Sequence, residues 1–458
     1  MKITPLAGIP LLLLTSLALV SFVNDPITDL TQKLSAEITG HGQAYGNLVE
    51  LTGIGPRLSG SSGAARAVDW AKAKMESYGF DRVYLQSVMV PQWSRGQVEQ
   101  ATVFQRGGEV QLKVAALGNS VGTAAGGLEA QVIEVHSLQE VAERADEVRG
   151  KIVFYNRPMD PNAADTFEAY GGAVDQRTAG PAQAARYGAV AALVRSLTTL
   201  VDDDHPHTGM LSNSGGRATI PGAALSAHGA NQLSLMLRSD PTLKLKLELG
   251  ARRLPQVQSY NVVGELTGRE LPGEIVVVGG HLDSWDLGVG AQDDGAGVVQ
   301  SIEILRAMKA LGIRPKRTVR AVLFMAEEFG GYGGREYANQ ARLNGEKHIA
   351  ATESDRGGFA PVGFAVRADA KVLETVRAWA PYLAPMHADS IWEGESGADV
   401  GYLNDLGAAT FGFVPESRHY FEFHHSALDT MEAVNAADLG NGAAAMATLT
   451  YLTAEYGL

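Results

Sequence analysis

The sequence is most constrained by a run of four β-branched residues, Ile275-Val276-Val277-Val278, that ends in Gly279-Gly280. A continuous β-branched run without polar alternation fits a strand buried on both faces, as in a parallel sheet covered by helices. The glycine pair lets the backbone turn sharply or pass close to another group. His281 and Asp283 follow at the strand's exit. Asp293-Asp294 then precedes Gly295-Ala296-Gly297 and a segment of helical period. Open α/β sheets bind ligands outside the carboxyl ends of their strands. The stretch GGHLDSWDLGVGAQDDGAG therefore puts metal-ligand side chains where such a fold builds its site.

The flanking sequence extends this reading. After residue 254, strand patterns at 258–266, 274–278, 318–325 and 349–353 alternate with a helix at 295–311, whose apolar face carries Val298, Ile302, Leu305 and Met308. The strand at 318–325 is apolar apart from Arg320. Alternation of this kind predicts an α/β fold with a mostly parallel, mixed central sheet and helices on both faces. Residues 24–95 read as a first segment of the same domain, with helices at 26–40 and 64–78 and a strand at 82–88. Residues 96–253 have another texture: short strands at 101–104, 109–115, 130–135, 151–155, 189–194 and 243–249, with a helix at 182–187. This predicts a β-rich insert, and no catalytic cluster is found in it. His205-Pro206-His207 beside Asp202-Asp203-Asp204 reads as a solvated, mobile loop. Residues 254–458 complete the domain and carry the candidate site.

Size and composition narrow the function. The 458 residues suggest two or three units at roughly 150 residues each. A net charge of −13 disfavours nucleic acid, which needs a basic footprint. The absence of cysteine excludes disulfides, thiolate metal sites and a cysteine nucleophile. Lys2 precedes a mostly apolar stretch running from Ile3 to Val23. Residues 1–23 thus read as a secretory signal, with an uncleaved membrane anchor as the alternative. The expected location is secreted or periplasmic.

Five metal-ligand residues stand at the ends of separate elements: His281, Asp293, Glu328, Asp355 and His425. Two imidazoles and three carboxylates suit a pair of borderline divalent ions, most naturally zinc. One carboxylate must bridge, because five ligands cannot otherwise give each ion three protein contacts. Adjacent glutamates usually sit on a solvated helix, whereas Glu327-Glu328 ends an apolar strand, a poor place for two unpaired charges.

The motifs GGHLDSW, QDDGAG, AEEFGGYGG, ESDRGGF and HHSALDT, in this order, resemble those of the co-catalytic di-zinc exopeptidases of leucyl aminopeptidase and glutamate carboxypeptidase type, nearest to the carboxypeptidase Q branch. The β-rich stretch resembles the protease-associated insert of that family. The resemblance implies two zinc ions per chain: His281 and Asp355 on one, Glu328 and His425 on the other, and Asp293 bridging. It also implies Asp283 as a carboxylate orienting His281, Glu327 as general base, a cis peptide at Asp293-Asp294 and a homodimer. His424, beside His425, is the reserve ligand. The implied substrate is a dipeptide or short peptide. Arg356 and Arg418 are candidates for receiving a substrate carboxylate, and Asp399 for a free amino group. The rivals are an aminopeptidase on the same centre, a non-catalytic binding relative, and a single-zinc acyltransferase that cyclises N-terminal glutamine. All five ligands and Glu327 being present argues against the binding relative.

Overall fold

The structure is a computed structural model and describes residues 25–105, 107–212 and 219–458. The apolar N-terminal stretch read as a signal or anchor lies outside the described residues. Among the described residues, no helix is long and apolar enough to cross a membrane.

The chain builds two eight-stranded sheets. Strand β1 (Arg82–Ser94) belongs to the larger. The next eight make the smaller: β2 (Glu99–Gln105), β3 (Gly108–Leu112), β4 (Val114–Ala116), β5 (Leu128–Val135), β6 (Ile152–Tyr155), β7 (Ala191–Arg195), β8 (Gly222–Leu225) and β9 (Lys244–Leu249). The chain then returns to the larger sheet with β10 (Arg252–Leu266), β11 (Leu271–His281), β12 (Arg317–Phe324), β13 (Lys347–Glu353), β14 (Pro361–Arg367), β15 (Ser390–Glu393) and β16 (Ala409–Pro415). The larger sheet has the order β1-β10-β12-β11-β13-β16-β14-β15. Its four middle strands, β12, β11, β13 and β16, run parallel. The sheet is mixed towards its edges, where β1, β10 and β14 pair antiparallel.

The parallel centre explains the β-branched run. Val276, Val277 and Val278 are all buried, because β11 has a strand on each side and helices over both faces. The helix Ala296–Ala310 covers one face and buries Val298, Ile302, Leu305 and Met308. Several helices are absent from the sequence reading, Ala227–Ser239 and Tyr332–Asn344 among them, and for two others the physical reason is plain. Ala44–Gly53 is short. Ala436–Tyr456 buries residues around its whole circumference, including Ala443, Ala444 and Ala445, so it shows no apolar stripe.

Arg320, the one charge in β12, has a structural explanation. Its guanidinium meets Glu265 at 2.8 Å and Glu346 at 2.7 Å, and donates to the Tyr337 hydroxyl at 2.7 Å. Tyr337 also bonds His348 Nε2 at 2.9 Å. Burial, reinforced by Arg320, brings the His348 pKa down to about 4. This lies below the value of about 6.5 for an unfolded chain. Between the two values the unfolded state takes up the proton first, so folding stability falls as pH drops from about 6.5 towards 4 and loses nothing further below that. The stability of wild type relative to His348→Gln should therefore fall by about 3 kcal/mol from pH 7 to pH 4, measured by urea unfolding. A difference that does not change with pH would refute the assignment.

Candidate active site

Parallel strands end on the same edge of a sheet. Strand β11 ends at His281, and Phe324 at the end of β12 pairs directly beside it. Glu353 at the end of β13 pairs with Gly279 of β11 and with Gly412 of β16. The loops that leave these four strands carry Asp283, Glu327, Glu328, Asp355, His424 and His425, so residues remote in sequence converge above one edge.

The five expected ligand residues form one cluster. His281 Nε2 lies 3.1 Å from Asp293 Oδ1 and 3.3 Å from Asp355 Oδ1. His425 Nε2 lies 3.2 Å from Asp293 Oδ2 and 3.1 Å from Glu328 Oε2. Asp293 thus turns one carboxylate oxygen to each imidazole. Such separations fit ligand atoms that each sit about 2.0–2.2 Å from a shared tetrahedral ion. Two groups able to hold a metal ion emerge, His281-Asp293-Asp355 and Asp293-His424-His425. The buried Oε1 of Glu328 has no hydrogen-bond partner. His424 stands further off, with its Nε2 3.9 Å from Asp293. Its ring stacks on that of His425 at 3.5 Å between centroids.

The second nitrogen of each imidazole faces a carbonyl. His281 Nδ1 donates to the Asp283 carbonyl at 3.0 Å, and His425 Nδ1 to that of Thr208 at 3.3 Å. Carbonyls only accept, so both rings carry a hydrogen on Nδ1 and present Nε2 to the carboxylates, the arrangement a metal ligand needs. Burial alone would lower both imidazole pKa values. The carboxylates override it: Asp355, then Asp283 and Asp293, raises His281 well above its ordinary value. Glu328 with Asp293 raises His425 to about 9. Burial pulls Asp293 up, yet the two imidazoles hold it well below the usual carboxylate range.

Asp283 meets the His281 ring through its backbone carbonyl. Its carboxylate is 3.7 Å from Nδ1, beyond hydrogen-bond length. The same carboxylate accepts the Ala326 N–H at 2.7 Å and the Glu327 N–H at 3.2 Å, fixing the turn that carries the two glutamates. Ala326 and His425 both adopt positive φ, at 67° and 60°, a conformation uncommon for residues other than glycine. The Asp293-Asp294 peptide is cis. Asp294 turns away from the cluster, accepting the His281 N–H at 2.8 Å and the Gly297 N–H at 3.0 Å. The close approach read into the glycine pair occurs here, since a Cβ on Gly280 would stand 2.5 Å from Asp294 Oδ2.

Several supporting residues carried no readable signal. Buried Arg57 donates to the carbonyls of Leu282, Val289 and Gly290 at 2.8, 2.5 and 2.9 Å. Asp429, quoted above only within a motif, accepts the N–H groups of Ala291, Gln292 and Asp293 at 3.0, 2.7 and 3.1 Å. His207 corrects the reading of its loop as solvated and mobile. It is 2 % exposed, donates from Nδ1 to the His424 carbonyl at 2.6 Å, and faces Asp203. The Thr208 N–H donates to the His425 carbonyl at 2.9 Å. The β-rich stretch therefore grips the histidine pair from outside. Only the Pro between His205 and His207, which restrains the backbone, hinted at an ordered loop.

A cavity of about 290 Å³ opens beside the cluster, lined by Asp293, Glu327, Glu328, Asp355 and His425 on one side and by Phe167, Tyr170 and Arg177 on another. A neighbouring cavity of about 310 Å³ shares Phe167 and Asp355 and adds Glu353, Arg356 and Glu395. Arg356 packs its guanidinium 4.4 Å from the Phe167 ring. Asp399 lies buried behind the wall and accepts the Gly334 N–H at 2.9 Å. Arg418 lines neither cavity; its side chain is 79 % exposed and pairs with Glu416 at 3.6 Å. If His207 steadies the histidine pair, His207→Ala should weaken divalent-metal affinity about 10–100-fold in a chelator competition while the chain stays folded. Unchanged affinity would leave His207 a packing role only.

The model of peptidase family M28 matches residues 261–450, the stretch that carries the cluster. Carboxypeptidase Q of Mus musculus is 35% identical over 402 residues, covering 88% of this chain and 83% of its own. The crystal structure of a peptidase M28 precursor from Shewanella amazonensis is 34% identical, with a TM-score of 0.89 over 94% of this chain and 97% of its own. A zinc aminopeptidase from Bacillus subtilis shares the fold at a TM-score of 0.65 and 19% identity, over 91% of this chain and 96% of its own. On the site's geometry and on the extent of these matches, the chain belongs to peptidase family M28.

Proposed function

We propose that this zinc metallo-exopeptidase holds two zinc ions per chain and acts as a carboxypeptidase on dipeptides or short peptides, with Glu327 as its general base. His281 and Asp355 would hold one ion, Glu328 and His425 the other, and Asp293 both. One observation carries this reading: the two oxygens of Asp293 face different imidazoles, at 3.1 and 3.2 Å. Zinc, when bound, supplies a water of lowered pKa and polarisation of the scissile carbonyl.

The rest falls to the chain's own side chains. Glu327 lines the cavity beside Asp293, Glu328 and Asp355. Burial first, then Asp355 and Glu328, pushes its pKa well above the usual carboxylate value, against the pull of His281. A carboxylate so placed takes a proton readily and can return it to the leaving amine. Glu328 is unsuited to that task, because its lone pairs face His425. Phe167 and Tyr420 give the cavity an aromatic wall beside the reacting groups. The relatives named carboxypeptidase Q favour the carboxypeptidase over the aminopeptidase reading, since the aminopeptidase likeness carries the fold alone. The apolar stretch at residues 3–23 would direct the chain to export.

Glu327→Ala should keep its zinc and its fold yet lose about 10²–10⁴-fold in kcat on a dipeptide. Full activity in that variant would remove Glu327 from its role. Asp293→Ala should release both ions together in elemental analysis. A variant retaining one zinc per chain would show that Asp293 does not bridge.

A further inference from the structure

We propose that Gln292 and Gln300 are positioning residues for Asp355: their amides fix the loop that presents this carboxylate to the first metal ion, a role that rests on the ligand assignment above. Asp355 stands apart from the other four ligand residues. Its side chain is 23 % exposed, whereas those of His281, Asp293, Glu328 and His425 are 8 % exposed or less. It sits on the irregular stretch between the end of β13 at Glu353 and the start of β14 at Pro361. Sheet pairing carries the chain only as far as Ser354, whose N–H donates to the Gly279 carbonyl at 3.1 Å. Regular backbone geometry therefore does not set the direction of Asp355.

Two glutamines supply what the backbone lacks. Gln292 is 1 % exposed and Gln300 is fully buried. Gln300 Oε1 accepts the Ser354 hydroxyl at 2.8 Å, and Gln292 Oε1 accepts the Gly358 N–H at 2.6 Å. These contacts fall just before Asp355 and shortly after it, so they bracket the carboxylate. The other end of each amide grips the C-terminal part of the chain. Gln292 Nε2 donates to the Ala433 carbonyl at 2.6 Å, and Gln300 Nε2 to the Leu439 carbonyl at 3.1 Å. Chemistry fixes both orientations: an N–H only donates and a carbonyl only accepts, so each oxygen must face the Asp355 loop. Each amide is a strut engaged at both ends.

The struts join the segments that carry the ligands. Gln292 directly precedes Asp293, and Gln300 lies in the helix Ala296–Ala310 that follows. Ala433 comes shortly after His425, and Leu439 lies in the helix Ala436–Tyr456. The packing around both amides is close. Gly357 has a φ of 81°, and a Cβ there would stand 2.9 Å from Gln292 Oε1. A Cβ on Gly442 would stand 2.4 Å from Gln300 Nε2. Groups that orient a metal-binding carboxylate from behind tune metal affinity by about 10–100-fold.

The test measures zinc binding to the metal-free full chain by chelator competition, step by step. Ser354→Ala removes the hydroxyl that Gln300 holds, and Gln292→Met removes the bond to Gly358. Each should weaken one of the two binding steps about 10–100-fold and leave the other unchanged. Asp355→Asn should weaken that same step, and in its background neither variant should add a further loss. A merely structural role would cost the same with or without the Asp355 carboxylate, and that result overturns the proposal. Unchanged zinc affinity in Ser354→Ala and Gln292→Met overturns it too. Ser354→Ala deletes a single oxygen and decides the matter even if Gln292→Met fails to fold. A wild type that binds one zinc overturns the two-ion reading instead, and the same cycle on that one step then decides the glutamines.

Discussion

Carboxylates crowd one edge of the larger sheet more densely than a protein interior tolerates without compensation. Asp283, Asp293, Asp294, Glu328, Glu353, Asp399 and Asp429 are all buried there. Burial raises Glu353 and Asp429 to about 7. The fixed positive charge among them is Arg57, itself held by carbonyls. Buried anions persist where they are hydrogen-bonded, protonated or bound to cations. Asp294 and Asp429 take the first route, accepting backbone N–H groups. Asp293, Asp355 and Glu328 face imidazole nitrogens instead, an arrangement suited to a bound cation. The surrounding loops can be understood as scaffolding for that concentration of charge.

Both sheets contribute to the scaffold. Trp285, which follows the first ligand loop, packs in the hydrophobic cluster of the smaller sheet, edge-on to Trp93 and against Gly118. His207 and Thr208 bind the carbonyls of the two histidines. The stretch between β1 and β10 is therefore part of the machinery: it supplies outer bonds to the cluster and one wall of the cavity. The expectation of no catalytic cluster within it understates what it does.

Legibility followed chemistry and periodicity. The ends of β11, β12 and β13 could be read because apolar runs terminate in ligand-type residues, a local pattern. The antiparallel pairing of β1 with β10 was not legible, because the whole smaller sheet separates the two strands along the chain. The helix Ala436–Tyr456 was not legible, since burial on all sides erases the stripe that marks a surface helix. Arg57, His207 and Gln292 were missed for another reason. Each acts through backbone groups brought close by tertiary structure, and no spacing along the chain encodes such partners. Arg356 and Arg418 were both near the ligands in sequence, yet the structure sets Arg356 in a cavity wall and turns Arg418 to solvent.

The clasp between Thr208 and His425 joins residues 217 positions apart. At about 5–20 residues per second of synthesis, the smaller sheet has emerged tens of seconds before its histidine partners exist. A nascent chain that has not reached residue 425 consequently lacks one of the five residues of the cluster, so the centre can assemble only after the smaller sheet has been made.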